Sequence, residues 1–185
     1  AAVPVVATLQ QRDGPRYLIY EVMGERTLAI AQRIKMRNPE KGYSPYLDAY
    51  LPKIMADCKA HNIRIVSNLG NANPVGGARR VIEMAAELGI ADIRVAVVHG
   101  DDLMTFMRAE EIAALPTIEG VKIDGSKIFA ANAYIGAQSV AAALALDVDV
   151  VLVGRTTDAA LVLGPLIHEF GWAEDDLDLL AAGTL

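Results

Sequence analysis

The chain is poor in cysteine, and its one thiol, Cys58, excludes a disulfide framework. Histidine is scarce too, three in 185 residues, and no H-E-x-x-H, C-x-x-C or G-x-S-x-G stretch occurs. The usual zinc, dithiol and serine-hydrolase signatures are therefore missing. Positive charge is in deficit: 17 Lys and Arg stand against 23 Asp and Glu, a formal charge of −6. Nucleic-acid binding rests on a basic face, so this balance argues against a nucleic-acid partner. No uninterrupted apolar run approaches the roughly 18–20 residues of a membrane span, which argues against a membrane partner. The opening AAVPVV has no charged region before its apolar residues and does not read as a signal peptide. The expected compartment is the reducing cytoplasm.

What the chain does have is apolar side chains, 53% of its residues, with only 5% aromatic. At this length roughly two-thirds of the unfolded surface is buried on folding, enough for one self-sufficient core. We expect a single α/β domain over residues 1–185. The lack of an initial Met and the ending LDLLAAGTL, read as a small-residue turn, lead us to expect a fragment of a longer chain.

Five β-rich runs stand out: Tyr17–Glu21, Ile63–Ser67, Arg94–Val98, Ile128–Asn132 and Val148–Val153. Between and after them, apolar residues recur at helical spacing over about 24–35, 47–60, 77–88, 137–146 and 157–169. Pro165 implies a kink or a restart in the last of these. Residues 103–127 read as a short helix and then an irregular or hairpin segment. Strands alternating with helices point to a mainly parallel sheet flanked by helices. A Rossmann-like three-layer sheet and a partial β/α barrel both fit. The near-continuous apolar strands VAVV and DVVLV suit central positions covered on both faces.

In a parallel α/β sheet the residues just after the strands gather on one edge, where ligands bind. Here those positions are polar after every run. Glu21, Glu25 and Arg26 follow the first, Asn68, Asn71 and Asn73 the second, and His99, Asp101 and Asp102 the third. Asn132 and Tyr134 go with the fourth, and Arg155, Thr156, Thr157 and Asp158 with the fifth. Glu21, Asp101 and Asp158 are the candidate general acids and bases. Asn68, Asn71, Asn73, Asn132, Tyr134 and Arg155 are the candidate ligand-binding residues. Arg155, next to a helix start, would make a positive spot for a carboxylate or phosphate. Hard oxygen ligands of this kind suit magnesium or calcium, but the spacing names no metal and no cofactor.

Plainer roles compete with these. Asp and Asn after strands form turns and cap helices. Thr157 or Asp158 would cap the last helix, Glu21 would pair with Arg26, and Arg155 would lock a loop. The loop NLGNANPVGG, followed by Arg79 and Arg80, is either an anion cradle or a packed turn. Cys58 lies on an amphipathic stripe and reads as core. His61 reads as a surface cap, and His168–Glu169 as either a metal pair or a helix-end pair.

Several segments together resemble a known family: YEVMGERTLAIAQ, SNLGNANPVGGARRV, HGDDL, ANAYIGAQSVAAAL, DVVLVGRTTDAALVLGPLIHEFGW and DDLDLLAAGTL. They are similar to the acyclic terpene utilization (AtuA-type) family over about Tyr17–Leu185, while AAVPVVATLQQRDGP departs from its pattern. The resemblance implies a part in catabolism of citronellol- or geraniol-type compounds, or related branched-chain acids, through carboxylated or CoA-linked intermediates. It carries no catalytic residue over. The expected partner is a small acidic or CoA-linked ligand, and the expected reaction is of lyase or hydratase type. The alternative is a non-catalytic ligand-binding subunit of a degradative complex. Self-association, or membership of such a complex, stays open.

Overall fold

The computed structural model describes residues 2–185. In chain order its elements are α1 (Ala2–Leu9), β1 (Arg16–Tyr20), α2 (Glu25–Arg37), α3 (Tyr46–Tyr50), α4 (Met55–Ala60) and β2 (Ile63–Ser67). There follow α5 (Pro74–Glu87), β3 (Val95–Val98), α6 (Ala109–Ala113), α7 (Ala137–Leu144), β4 (Val150–Val153), α8 (Ala160–Phe170) and α9 (Leu177–Thr184). The strands are all parallel, in the order β1-β2-β4-β3. β4 therefore sits inside, with Val150 opposite both Ile65 and Val95. That position explains why VVLV is buried at every residue. With β1 and β3 at its two ends, the sheet is open and not a barrel. VAVV, expected at a central position, is instead the edge strand β3, where Val95 and Val97 are only half-buried.

Strand alternation divides the core into two faces. Ile65, Val150 and Leu152 pack with Leu47, Ile54 and Val81 beneath α3, α4 and α5, and Val6 of α1 joins them. Val66, Val151 and Val153 point the other way, onto Val140 and Leu144 of α7 and Leu161 of α8. The result is three layers, helices on both faces of one sheet. Gly164 lets α8 lie close against α7, since a Cβ there would stand 2.5 Å from that of Val140.

Several expectations are corrected. Ile128–Asn132 is not a strand. It runs irregularly over the surface, and only Asn132 forms an isolated antiparallel bridge, to Asp102. Its two central alanines have little β preference, and they supply no bulky side chain for a sheet face. The helix expected over 47–60 is interrupted by a 3-10 turn at Leu51–Lys53. Pro52 cannot donate to the helical ladder, although Leu47, Leu51, Ile54 and Cys58 keep their buried stripe. α8 begins at Ala160 and continues through Pro165 as one helix. The ending read as a turn contains α9.

Candidate functional site

The parallel strands deliver Glu21, Asn68, Asp101 and Arg155 to the carboxyl edge. Because β4 lies between β2 and β3, Arg155 emerges between Asn68 and Asp101. Asn68 is completely buried. Its Oδ1 accepts from the Val22 N–H at 2.9 Å, and its Nδ2 donates to Glu21 Oε1 at 3.0 Å. The same Glu21 oxygen accepts from the Met23 N–H at 2.9 Å. These contacts staple the β1–α2 loop to the end of β2.

Asp101 is likewise buried. Its Oδ2 accepts from the Arg155 backbone N–H at 2.9 Å and from Asn132 Nδ2 at 2.8 Å. Gly154 makes room for this carboxylate, because a Cβ there would lie 2.1 Å from Asp101 Oδ1. The loop after β3, the segment around Asn132 and the end of β4 thus converge on one carboxyl group.

The Arg155 side chain is only 5% exposed. Its Nη1 donates to the Met23 carbonyl at 2.9 Å, and its Nη2 to Asp158 Oδ1 at 3.1 Å. The Tyr134 ring covers the guanidinium, with its centroid 4.0 Å from Cζ. Nε of Arg155 and Oγ1 of Thr156 are buried with no partner among the described residues. Glu25 Oε1 stands 3.8 Å from Arg155 Nη2 and accepts the Tyr134 hydroxyl hydrogen. That hydrogen bond lowers the Glu25 carboxyl below its ordinary range and raises the Tyr134 phenol. The arrangement opens into a cleft of about 230 Å³ walled by Leu28, Ala29, Ala130 and Ala131. It offers one cationic end and an apolar wall.

A second cleft, about 300 Å³, adjoins it and is lined by Lys35, His99, Asp101, Asp102 and Phe106 among others. Asp102 is held by Lys35 Nζ at 3.4 Å and by the buried Gln32 Nε2 at 3.2 Å. Asp101 lines this cleft, and its Asn132 partner lines the first.

The candidate residues therefore divide. Asp101, Asn132, Tyr134, Arg155 and Asp158 form one connected cluster. Glu21 and Asn68 form a second, joined to the first through Met23, whose N–H goes to Glu21 and whose carbonyl goes to Arg155. Asn73 stands apart: it caps α5 and donates to the Pro39 and Lys41 carbonyls at 2.8 and 2.9 Å. Asn71 is buried at φ 49°, with an unpartnered Oδ1. Asp158 does not cap α8, whose N-cap is Ala159 without a side-chain bond. The NLGNANPVGG loop is a packed turn. Arg79 pairs with Glu40 at 3.2 Å, and Arg80 with Asp48 at 2.6 Å. Among the described residues, no group of three or more His, Cys, Asp or Glu side chains is placed to hold a metal ion. Glu25, although visible as a polar residue after the first strand, gains its place only through Tyr134, 109 positions away. Nothing local in the sequence signals that pairing. The Met23 carbonyl and Gln32 carry no sequence signal either.

Among the described residues, no helix is long and apolar enough to cross a membrane. The family model described as acyclic terpene utilisation family protein AtuA matches residues 2–185. No curated protein and no solved structure matches the chain.

Proposed function

The chain belongs to the acyclic terpene utilisation family, and from that premise we propose that it acts on a small branched-chain acid, or on a CoA thioester that keeps a free carboxylate, held by that carboxylate at Arg155. One observation carries this reading: a carboxylate of the chain itself already stands at the mouth of the cleft. The Glu25 side chain is 80% exposed, receives the Tyr134 hydroxyl and lies near Arg155 Nη2. Its exposure leaves it free to swing out. A ligand carboxylate taking its place would meet the same two donors, one of them a permanent cation. Hydrogen bonds to charged groups contribute on the order of 1.5–3 kcal/mol each. The branched hydrocarbon would lie along Leu28, Ala29, Ala130 and Ala131. The cleft is smaller than the roughly 300–1,000 Å³ of drug-sized sites, so it suits a compact ligand or one end of a longer one.

For a lyase or hydratase reaction, we assign the proton transfer to Asp158, whose carboxylate meets Arg155 Nη2 at 3.1 Å while its side chain stays 64% exposed. Glu21 and Asp101 would act as positioning residues, since each already accepts backbone N–H groups. That engagement also favours the second reading, a subunit that binds the degradation intermediate without turning it over. Titration calorimetry with an acyclic terpenoid acid and its parent alcohol tests the proposal. The acid is expected to bind at least tenfold more tightly, and Arg155→Gln, which removes the cation, is expected to abolish the difference. Equal affinities in the native protein would overturn it. Loss of turnover in Asp158→Asn, with acid binding retained, would favour the enzymatic reading over the binding one.

A further inference from the structure

The amino edge of the sheet, opposite the site above, carries a larger cavity of about 450 Å³. It forms where the chain enters β1, β2 and β4 through residues in the left-handed region: Gly14 at φ 82°, Asn62 at 51° and Asp147 at 54°. Those sharp entries gather Arg16, Arg64 and Arg94 around one space in a chain whose net charge is −6. Each guanidinium is differently occupied. Arg64 is anchored, with Nη1 donating to the Tyr17 hydroxyl oxygen at 3.0 Å and to Glu169 at 3.4 Å. Arg94 reaches Asp147 Oδ2 at 2.8 Å, and Arg64 Nη2 lies 3.5 Å from the other oxygen of that carboxylate. Arg16 takes part in no ion pair among the described residues, and its Nε is buried without a partner. Asp149 adds no free negative charge, because Lys59 Nζ holds it at 2.9 Å.

We infer that this cavity is a second ligand site, which takes a phosphate group, either free or as the monoester of a small metabolite. Arg16 and Arg94 are its donors, and Asp147 is the carboxylate that the phosphate displaces. A phosphate presents several acceptor oxygens and close to two negative charges at neutral pH, which matches planar guanidinium forks better than a lone carboxylate does. Asp147 is 70% exposed on a turn and can leave. The volume falls within the roughly 300–1,000 Å³ of small-molecule sites, so there is room for more than the phosphate itself. Free phosphate and a nucleotide-like carrier share this chemistry, and the probe separates the two sources.

The test uses the whole chain at fixed ionic strength, titrated with inorganic phosphate and with adenosine 3′,5′-bisphosphate. Affinity is measured by calorimetry and location by amide NMR shifts. Binding is expected below millimolar, with shifts at Asn62, Arg94 and Asp147 and none at Arg155. Arg16→Gln and Arg94→Gln are each expected to weaken it tenfold or more, and Asp147→Asn to tighten it several-fold. Tighter binding of the bisphosphate assigns a nucleotide-like carrier, and equal binding assigns the phosphate alone. Shifts at the carboxyl edge, unchanged affinity in both arginine variants, or no binding beyond that of chloride would each overturn the inference.

Discussion

Asn68 and Tyr134 both reach the carboxyl edge of the sheet. Asn68 is wholly buried and spends both ends of its amide on the β1–α2 loop. Tyr134, 52% exposed, lays its ring over a guanidinium and offers its hydroxyl to an exposed carboxylate. The inner polar residues, Asn68 and Asp101, fix backbone, and so does Glu21 from its exposed position, through the Met23 N–H. The rim residues, Tyr134, Glu25 and Asp158, surround a buried cation with groups that can exchange partners. Polarity at a strand end therefore does not by itself mark a ligand contact. What separates the two sets is whether the polar atoms are already committed to main chain.

Gly154→Ala is the harshest way to probe the inner set, because its Cβ would stand 2.1 Å from the Asp101 carboxylate. We expect a loss of about 3 kcal/mol, read as a fall of roughly 6–12 °C in melting temperature. Asn68→Ala should come next. It removes the acceptor of the Val22 N–H and the donor to Glu21, at a cost of about 2 kcal/mol in chemical denaturation. A Tm close to that of the native protein in both variants would erase the distinction between inner and rim residues.

Away from the edge, burial acts on two neutral groups. Burial pushes the Cys58 thiol up to about 12. Burial, followed by the hydrogen bond to Glu169, does the same for the Tyr17 phenol. The folded chain thus keeps protons that the unfolded chain releases from about pH 9 for the thiol and pH 10 for the phenol. Stability should be full below pH 9 and should fall as the pH rises toward 12. Denaturation midpoints across that range check this. In Cys58→Ala the part of the decline that starts near pH 9 should disappear.

The smallest stability effect belongs to the rim. Tyr134→Phe should shift stability by no more than about 0.5 kcal/mol, as exposed substitutions do. The same change should weaken binding of an acyclic terpenoid acid several-fold in calorimetry.

Much of this fold was legible because burial imposes simple patterns. VVLV is continuous because β4 lies inside the sheet with both faces covered, and the inner stripe of α5 repeats at helical spacing. VAVV, equally apolar, forms the edge strand β3, with every other residue only half-buried. IFAAN misled for a related reason: a short apolar run looks the same whether it joins a sheet or crosses a surface. The crowding of polar residues at one edge was also readable, since parallel strands all end there. Their division into inner and rim residues was not. It depends on Asn68 turning inward to Val22, on Gly154 yielding space to Asp101, and on Glu25 meeting Tyr134 across most of the chain. Those contacts arise from strand order, which local spacing does not encode.

The most direct test of the rim concerns Glu25 as occupant of a ligand carboxylate's place beside Arg155. Calorimetry on Glu25→Gln, with an acyclic terpenoid acid and its parent alcohol, measures the competition. If Glu25 holds that place, removing its charge should tighten acid binding several-fold and leave alcohol binding unchanged. Weaker acid binding in Glu25→Gln would show that Glu25 supports the ligand instead of competing with it, and would contradict the account.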